Sequence, residues 1–192
     1  MAKPSSYIIG AAAVMMIAAG VHGSSSAAAS STPAAGAHGS GAVAALESLL
    51  GSIRMTGSAS GAAKAAVSWA EGKQGLPYCW GGVGPSCFDC SGLIMQAYAA
   101  AGVSIPRTSQ AQWSWGVASG KQVSMSHLRP GTLVFYAGAD GTPTSPGHVV
   151  MYVGGGQVVE AYAQGTPIHV VALGSMPGEQ DAVGAIDPTA GG

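Results

Sequence analysis

The residues with the most chemistry to offer are Cys90, His148 and Glu160. Cys90 stands in Phe88-Asp89-Cys90-Ser91-Gly92, where a Gly-rich stretch gives way to a helical pattern of Leu93, Ile94, Ala97 and Tyr98. A cysteine that opens a helix lies at the positive end of the macrodipole, beside backbone N–H groups with no intrahelical acceptor, and a thiolate is favoured there. It becomes a catalytic nucleophile when a neighbouring imidazole takes its proton. His148 follows Pro146-Gly147 at the head of an apolar run, so its side chain can project from the end of a sheet toward a helix N-terminus. His127 precedes a turn, and His169 sits within a late strand. Glu160 lies in a further apolar run that can pair with the run of His148 through the turn Gly154-Gly155-Gly156. In such a hairpin its carboxylate would come alongside the imidazole, fix its tautomer and favour the imidazolium, as the third member of a nucleophile, base and orienter set.

The chain has three cysteines, an odd number for what reads as an exported protein, so one is expected to stay unpaired. Cys79 and Cys87 share one loop, and a bridge between them would leave Cys90 free. Cys87 and Cys90 are the competing pair, and their Cys-x-x-Cys spacing at a helix start is also a redox motif. No βαβ unit surrounds it. A closed zinc site wants four ligands, and no second Cys or His pair is spaced to complete one.

The elements that must position these groups follow from periodicity and punctuation. Leu46, Leu49, Leu50 and Ile53 predict a helix over residues 42–57, weakened at Gly51 and ended at Gly57. A second helix is expected from about Ser60 to Glu71, stopped by Gly72. Residues 75–85 are rich in Gly and Pro and read as a loop laid against the site. The Cys90 helix should run to about Ala101, and Thr108 should cap a short helix carrying Gln110, Gln112 and Trp113. Four short apolar runs follow, residues 133–136, 148–153, 157–162 and 168–173, separated by turn residues as in an antiparallel meander. Helices first and strands afterwards predict an α+β domain over residues 58–192.

Of 192 residues, 47% are hydrophobic and 8% charged, with a net charge of -1, which leaves no basic footprint for nucleic acid. Lys3 and the uncharged run from Tyr7 to Val21 match the n- and h-regions of a secretory signal over residues 1–29, with Ala27 and Ala29 before the cleavage point. That run is short against the roughly 20 residues that span a bilayer, so any membrane contact would come through this segment left uncleaved. Residues 30–41 continue a Ser, Ala, Gly, Thr and Pro composition and read as a flexible linker.

Three blocks make the chain resemble the NlpC/P60 family of cell-wall cysteine peptidases. They are Pro77-Tyr78-Cys79-Trp80-Gly81-Gly82, Phe88-Asp89-Cys90-Ser91-Gly92-Leu93, and the stretch from Gly147-His148 to Val153-Gly154, with weaker support at Pro106-Arg107 and Pro130-Gly131. The resemblance implies a papain-like α+β fold, with the nucleophile at a helix N-terminus packed on an antiparallel sheet. It implies hydrolysis of peptidoglycan stem peptides outside the cytoplasm, commonly between D-glutamate and a diamino acid, without metal or other cofactor. By position, Cys90 would be nucleophile, His148 base and Glu160 orienter. Tyr78 would neighbour the nucleophile, with Trp80 on the same loop, and Asp89 and Ser91 would help hold a substrate amine. Two departures stand out. The third catalytic position is most often His in the family, and Thr132 replaces the Asp of its Pro-Gly-Asp-Leu. Other readings are a different acyl transfer on the same fold, a Cys-x-x-Cys redox protein, and an inactive wall-binding module.

Overall fold

The computed structural model describes residues 40–191. The expected leader and nearly all of the expected linker lie outside them. Helix α1 spans Ser40–Glu71, α2 Cys90–Ala100 and α3 Ser109–Ala118. The strands are β1 Gln122–Val123, β2 Leu133–Tyr136, β3 His148–Gly154, β4 Gln157–Glu160, β5 His169–Ala172 and β6 Ala182–Ile186. They form one antiparallel sheet in the order β1-β6-β2-β3-β4-β5.

Where two helices were expected, α1 is a single helix of 32 residues. Glycine in a helix costs only about 1 kcal/mol relative to alanine and removes no hydrogen-bonding group, so without a proline Gly51 and Gly57 leave the ladder intact. The expected domain boundary at residue 57 therefore falls inside α1. Ala63, Ala66, Val67 and Ala70 recur at helical spacing and are buried, whereas Val43 and Leu46 nearer the start are exposed. Among the described residues, no helix is long and apolar enough to cross a membrane.

The stripe of α2 carries the functional consequence. Leu93, Ile94, Ala97 and Tyr98 are fully buried, and Cys90 heads the same stripe at 9% exposure. Burying this face against the sheet thus aims the Cys90 side chain at the sheet as well. Leu133, Phe135, Val149, Met151, Val159 and Ile186 meet α1 and α2 on one sheet face. Val134, Tyr136, Val150, Val158 and Ala185 form a second cluster on the other.

The expected meander is present as β2, β3, β4 and β5. Strand β6 was not anticipated. It crosses back to pair with β2, with Phe135 opposite Gly184, and its Ala-Val-Gly-Ala-Ile sequence carries little strand signal. Gly184 is needed there for space, since a Cβ at that position would lie 2.7 Å from the Trp113 ring of α3. Thr132, in place of the family aspartate, is buried, and its hydroxyl accepts the Arg129 N–H at 3.1 Å. It closes the turn into β2.

Candidate active site

The first turn of α2 is built by its flanking residues. Asp89 is the N-cap, and its carboxylate accepts the Gly92 N–H at 2.6 Å. The Leu93 N–H goes to the Asp89 carbonyl at 2.9 Å. The N–H groups of Cys90 and Ser91, at the head of the helix, have no intrahelical acceptor. Gly92 carries no Cβ because one would meet the carbonyl oxygen of Gly82, which rests on this turn.

Arg107 fixes the same turn from outside. It forms a two-pronged ion pair with Asp89, at 2.6 and 3.0 Å, and donates to the Ser91 hydroxyl at 3.0 Å. Gln112 of α3, fully buried, donates to the carbonyls of Ser91 and Pro106 at 3.1 and 2.9 Å. The sequence assigned neither residue a role at the site. Asp89 and Ser91 do line the cleft, but the Asp89 charge is already paired with a guanidinium.

The preceding loop is pinned to α2 by Cys79 N–H to Phe88 carbonyl and Asp89 N–H to Gly82 carbonyl bonds, both at 3.0 Å. Cys79 and Cys87 are joined in a disulfide and Cys90 is free. The Cys87-Cys90 redox pairing is therefore not formed. Replacing Cys79 and Cys87 together by serine is expected to lower stability by about 2.5 kcal/mol on the chain-entropy account of so short a loop. A urea titration checks this: reductant should reproduce the loss in the native protein and add nothing to the variant.

His148 stands opposite Tyr136 at the head of β3. Its Nε2 is 3.2 Å from Oε2 of Glu160 and 3.1 Å from Oε1 of Glu179. Nε2 has one N–H, and the hydrogen-bond geometry is met at Glu160. Glu179 is in ion-pair range but off that line, so neither of its buried oxygens has a hydrogen-bond partner. With Nε2 engaged, Nδ1 is the ring nitrogen left for Cys90. The Tyr162 ring meets the imidazole edge-on at 5.9 Å between centroids. Burial by itself would pull the His148 pKa down. Contacts with Cys90, Glu160 and Glu179 outweigh it and hold the imidazole well above the ordinary histidine range.

Glu160 is fully buried, and its other oxygen lies 3.2 Å from Nε2 of His169, which is its partner across β4 and β5. Burial raises its pKa, but the hydrogen bond and charge of His148, with Glu179 and His169 beside it, bring it below the ordinary value. Glu179 is pushed the other way, by burial and by Glu160 beside it. His148, Glu160 and Glu179 bring ligand-type atoms within 4.8 Å of one another. Three such groups fall short of a closed zinc site, and Nε2 is already committed to Glu160, so we read them as a hydrogen-bonded His148-Glu160 pair with Glu179 beside it.

Cys90, Tyr78, Trp80, Asp89, Ser91, Arg107 and Gly147 line a cleft of about 320 Å³. The Cys90 sulfur lies 4.0 Å from the Gly147 carbonyl oxygen, at the outer limit of an S–H hydrogen bond. Trp80 stands on the rim, 79% exposed. The pKa of Tyr78 is pushed up to about 12, by burial first and then by the charges of Cys90, Asp89 and Asp140. Its hydroxyl thus remains a donor. A larger hollow of about 1130 Å³, between the second half of α1 and residues 187–191, contains none of these groups.

A free cysteine opening a helix that packs on an antiparallel sheet, with an imidazole at the end of a central strand, is the papain-like arrangement of thiol hydrolases. The chain belongs to the NlpC/P60 family, whose model matches residues 75–184. It is 44% identical over 120 residues to a protein of Corynebacterium glutamicum named a probable endopeptidase, a match covering 62% of this chain and 52% of that one. The chain thus spans about half the length of that relative. An NlpC/P60 family protein from Bacillus cereus superposes with a TM-score of 0.60 at 30% identity, covering 67% of this chain and 40% of that one. The peptidoglycan hydrolase RipB of Mycobacterium tuberculosis does so with a TM-score of 0.52 at 33% identity, over 62% of each chain.

Proposed function

We propose that this chain is an exported cysteine endopeptidase that hydrolyses the stem peptides of peptidoglycan, at the bond between D-glutamate and the diamino acid. The observation that carries this reading is the placement of free Cys90 at the head of α2, with His148 backed by Glu160 at 3.2 Å. In the reaction, the Cys90 thiol gives its proton to His148 and the sulfur adds to the scissile carbonyl. The N–H groups of Cys90 and Ser91, with the neutral hydroxyl of Tyr78, are the donors available to the oxyanion, each worth about 2.7–4 kcal/mol by analogy with other acyl-transfer sites. His148 then protonates the leaving amine, which departs and leaves a thioester on Cys90. Water, deprotonated by His148, attacks the thioester, and the carboxylic acid leaves with the thiol restored. The family, the leader-like sequence of residues 1–29 and the disulfide all support action outside the cytoplasm.

Asp89 and Ser91 remain the wall of the subsite beyond the nucleophile. Because Arg107 already neutralises Asp89, a free amine on the substrate gains little there, and a stem still joined to its sugar should be accepted. The test is a digest of free and sugar-linked stems, with products identified by mass. Cleavage of both at the D-glutamyl bond is expected. Release of the intact stem from its sugar would make the protein an amidase, joined peptides a cross-linker, and strict dependence on a free amine would return Asp89 to amine binding.

A further inference from the structure

Glu179 belongs to no regular element. It lies between β5 and β6, yet is only 2% exposed and stands 3.1 Å from Nε2 of His148 with both carboxyl oxygens unpartnered. Glu160 beside it receives an N–H on each oxygen, from His148 and from His169. One imidazolium balances one carboxylate. A second buried carboxylate in the same space is stable only as the acid, and the group without N–H donors is the one that keeps the proton. That leaves Glu179 with an O–H to give, and Glu160 with lone pairs to receive it.

We propose that Glu179 is a positioning residue of the catalytic centre, whose carboxylic acid donates to Glu160 and holds that carboxylate against Nε2 of His148. The opposed directions of the two carboxyl groups, Glu179 raised and Glu160 lowered, agree with this. The groups facing the pair are Cys90 of α2, Tyr136 of β2, His148 of β3, Tyr162 after β4 and His169 of β5. Once Glu179 ionises, it adds a second negative charge near the imidazolium and moves the loss of the His148 proton to higher pH.

The proposal deepens the peptidase reading and rests on it for its kinetic arm alone. Its chemical arm is the rate at which iodoacetamide alkylates Cys90, measured against pH in the whole chain. Glu179→Leu has no donor, and should lower kcat by roughly tenfold to a hundredfold with little change in KM, by analogy with the outer partners of metal-bound histidines. Glu179→Gln restores a donor that cannot ionise. It should recover most of that loss, keep the acid limb of alkylation in place, and shift the alkaline limb down by about half a pH unit. Glu179→Gln as impaired as Glu179→Leu, or an alkaline limb that does not move, overturns the proposal. If Glu179→Leu does not fold, the alkaline limb of Glu179→Gln decides. Should the wild type alkylate as expected but cleave no stem peptide, the peptidase reading fails and the role of Glu179 stands.

Discussion

Cys90→Ala is expected to lower kcat for stem-peptide hydrolysis by about four to six orders of magnitude, the scale seen when the nucleophile of an acyl-transfer enzyme is removed. No neighbouring group can take its place. His148 is the proposed base, and the hydroxyl of Ser91, one residue on, is held by Arg107 at 3.0 Å. Stability should change little, because the substitution removes one sulfur at the edge of the α2 stripe. Chromatography of the digest with a thermal melt of the same sample checks both parts. Activity of the variant above about one part in a thousand would show that the thioester route is wrong. The inactive wall-binding reading makes the opposite prediction: neither protein cleaves, and both bind.

Glu160→Gln has the second largest expected effect, a fall in kcat of about two to four orders of magnitude by analogy with the buried carboxylate of serine-protease triads. The amide keeps the shape of the carboxylate but offers one acceptor where the native group offers two, against the N–H groups of His148 and His169. A buried imidazolium then loses its counter-charge, and its pKa falls.

The same substitution should alter how stability depends on pH. The Glu160 pKa is lowered in the folded protein, so its contribution is full above the unfolded value of about 4.3 and is lost as pH falls through the lower folded value. The His148 pKa is raised, so its contribution is full below about 6.5 and is lost as pH rises through the higher folded value. Both contributions are complete between those two unfolded values. Urea titrations across pH should therefore give a stability maximum there for the native protein and a flatter profile for Glu160→Gln. Equal profiles would mean that the ion pair contributes nothing to folding.

Much of the site follows from short-range pattern. Cys90 was legible because it shares the 3.6-residue stripe of Leu93, Ile94, Ala97 and Tyr98, and a helix that buries its stripe has little choice about where its first side chain points. Glu160 was legible because a hairpin has period two. Pairing of Met151 with Val159 places Glu160 opposite Val150, two residues from His148 and on the same face. The Thr108 cap and the four-strand meander are local in the same sense.

Other features depended on parts of the chain that meet only when the whole of it packs. Gly51 looked like a weak point and Gly57 like a stop, but whether a weak helical position breaks depends on the helix around it. Asp89 and Arg107 meet because α2 and the segment entering α3 fold onto one loop, and that contact pairs a guanidinium with a carboxylate that the family resemblance assigns to the substrate. Glu179 carries no periodicity at all, since it lies in an irregular return between β5 and a strand with little strand signal. Helix and hairpin periodicities in the sequence were enough to single out Cys90, His148 and Glu160 as the proposed nucleophile, base and orienting carboxylate. Tertiary structure alone decided what surrounds them: the disulfide that leaves Cys90 free, the guanidinium on Asp89 and the second acid behind His148. The last two are contacts between distant segments, fixed by the packing of the folded chain, whereas the disulfide closes a single loop whose spacing had left the rival Cys87-Cys90 pairing open.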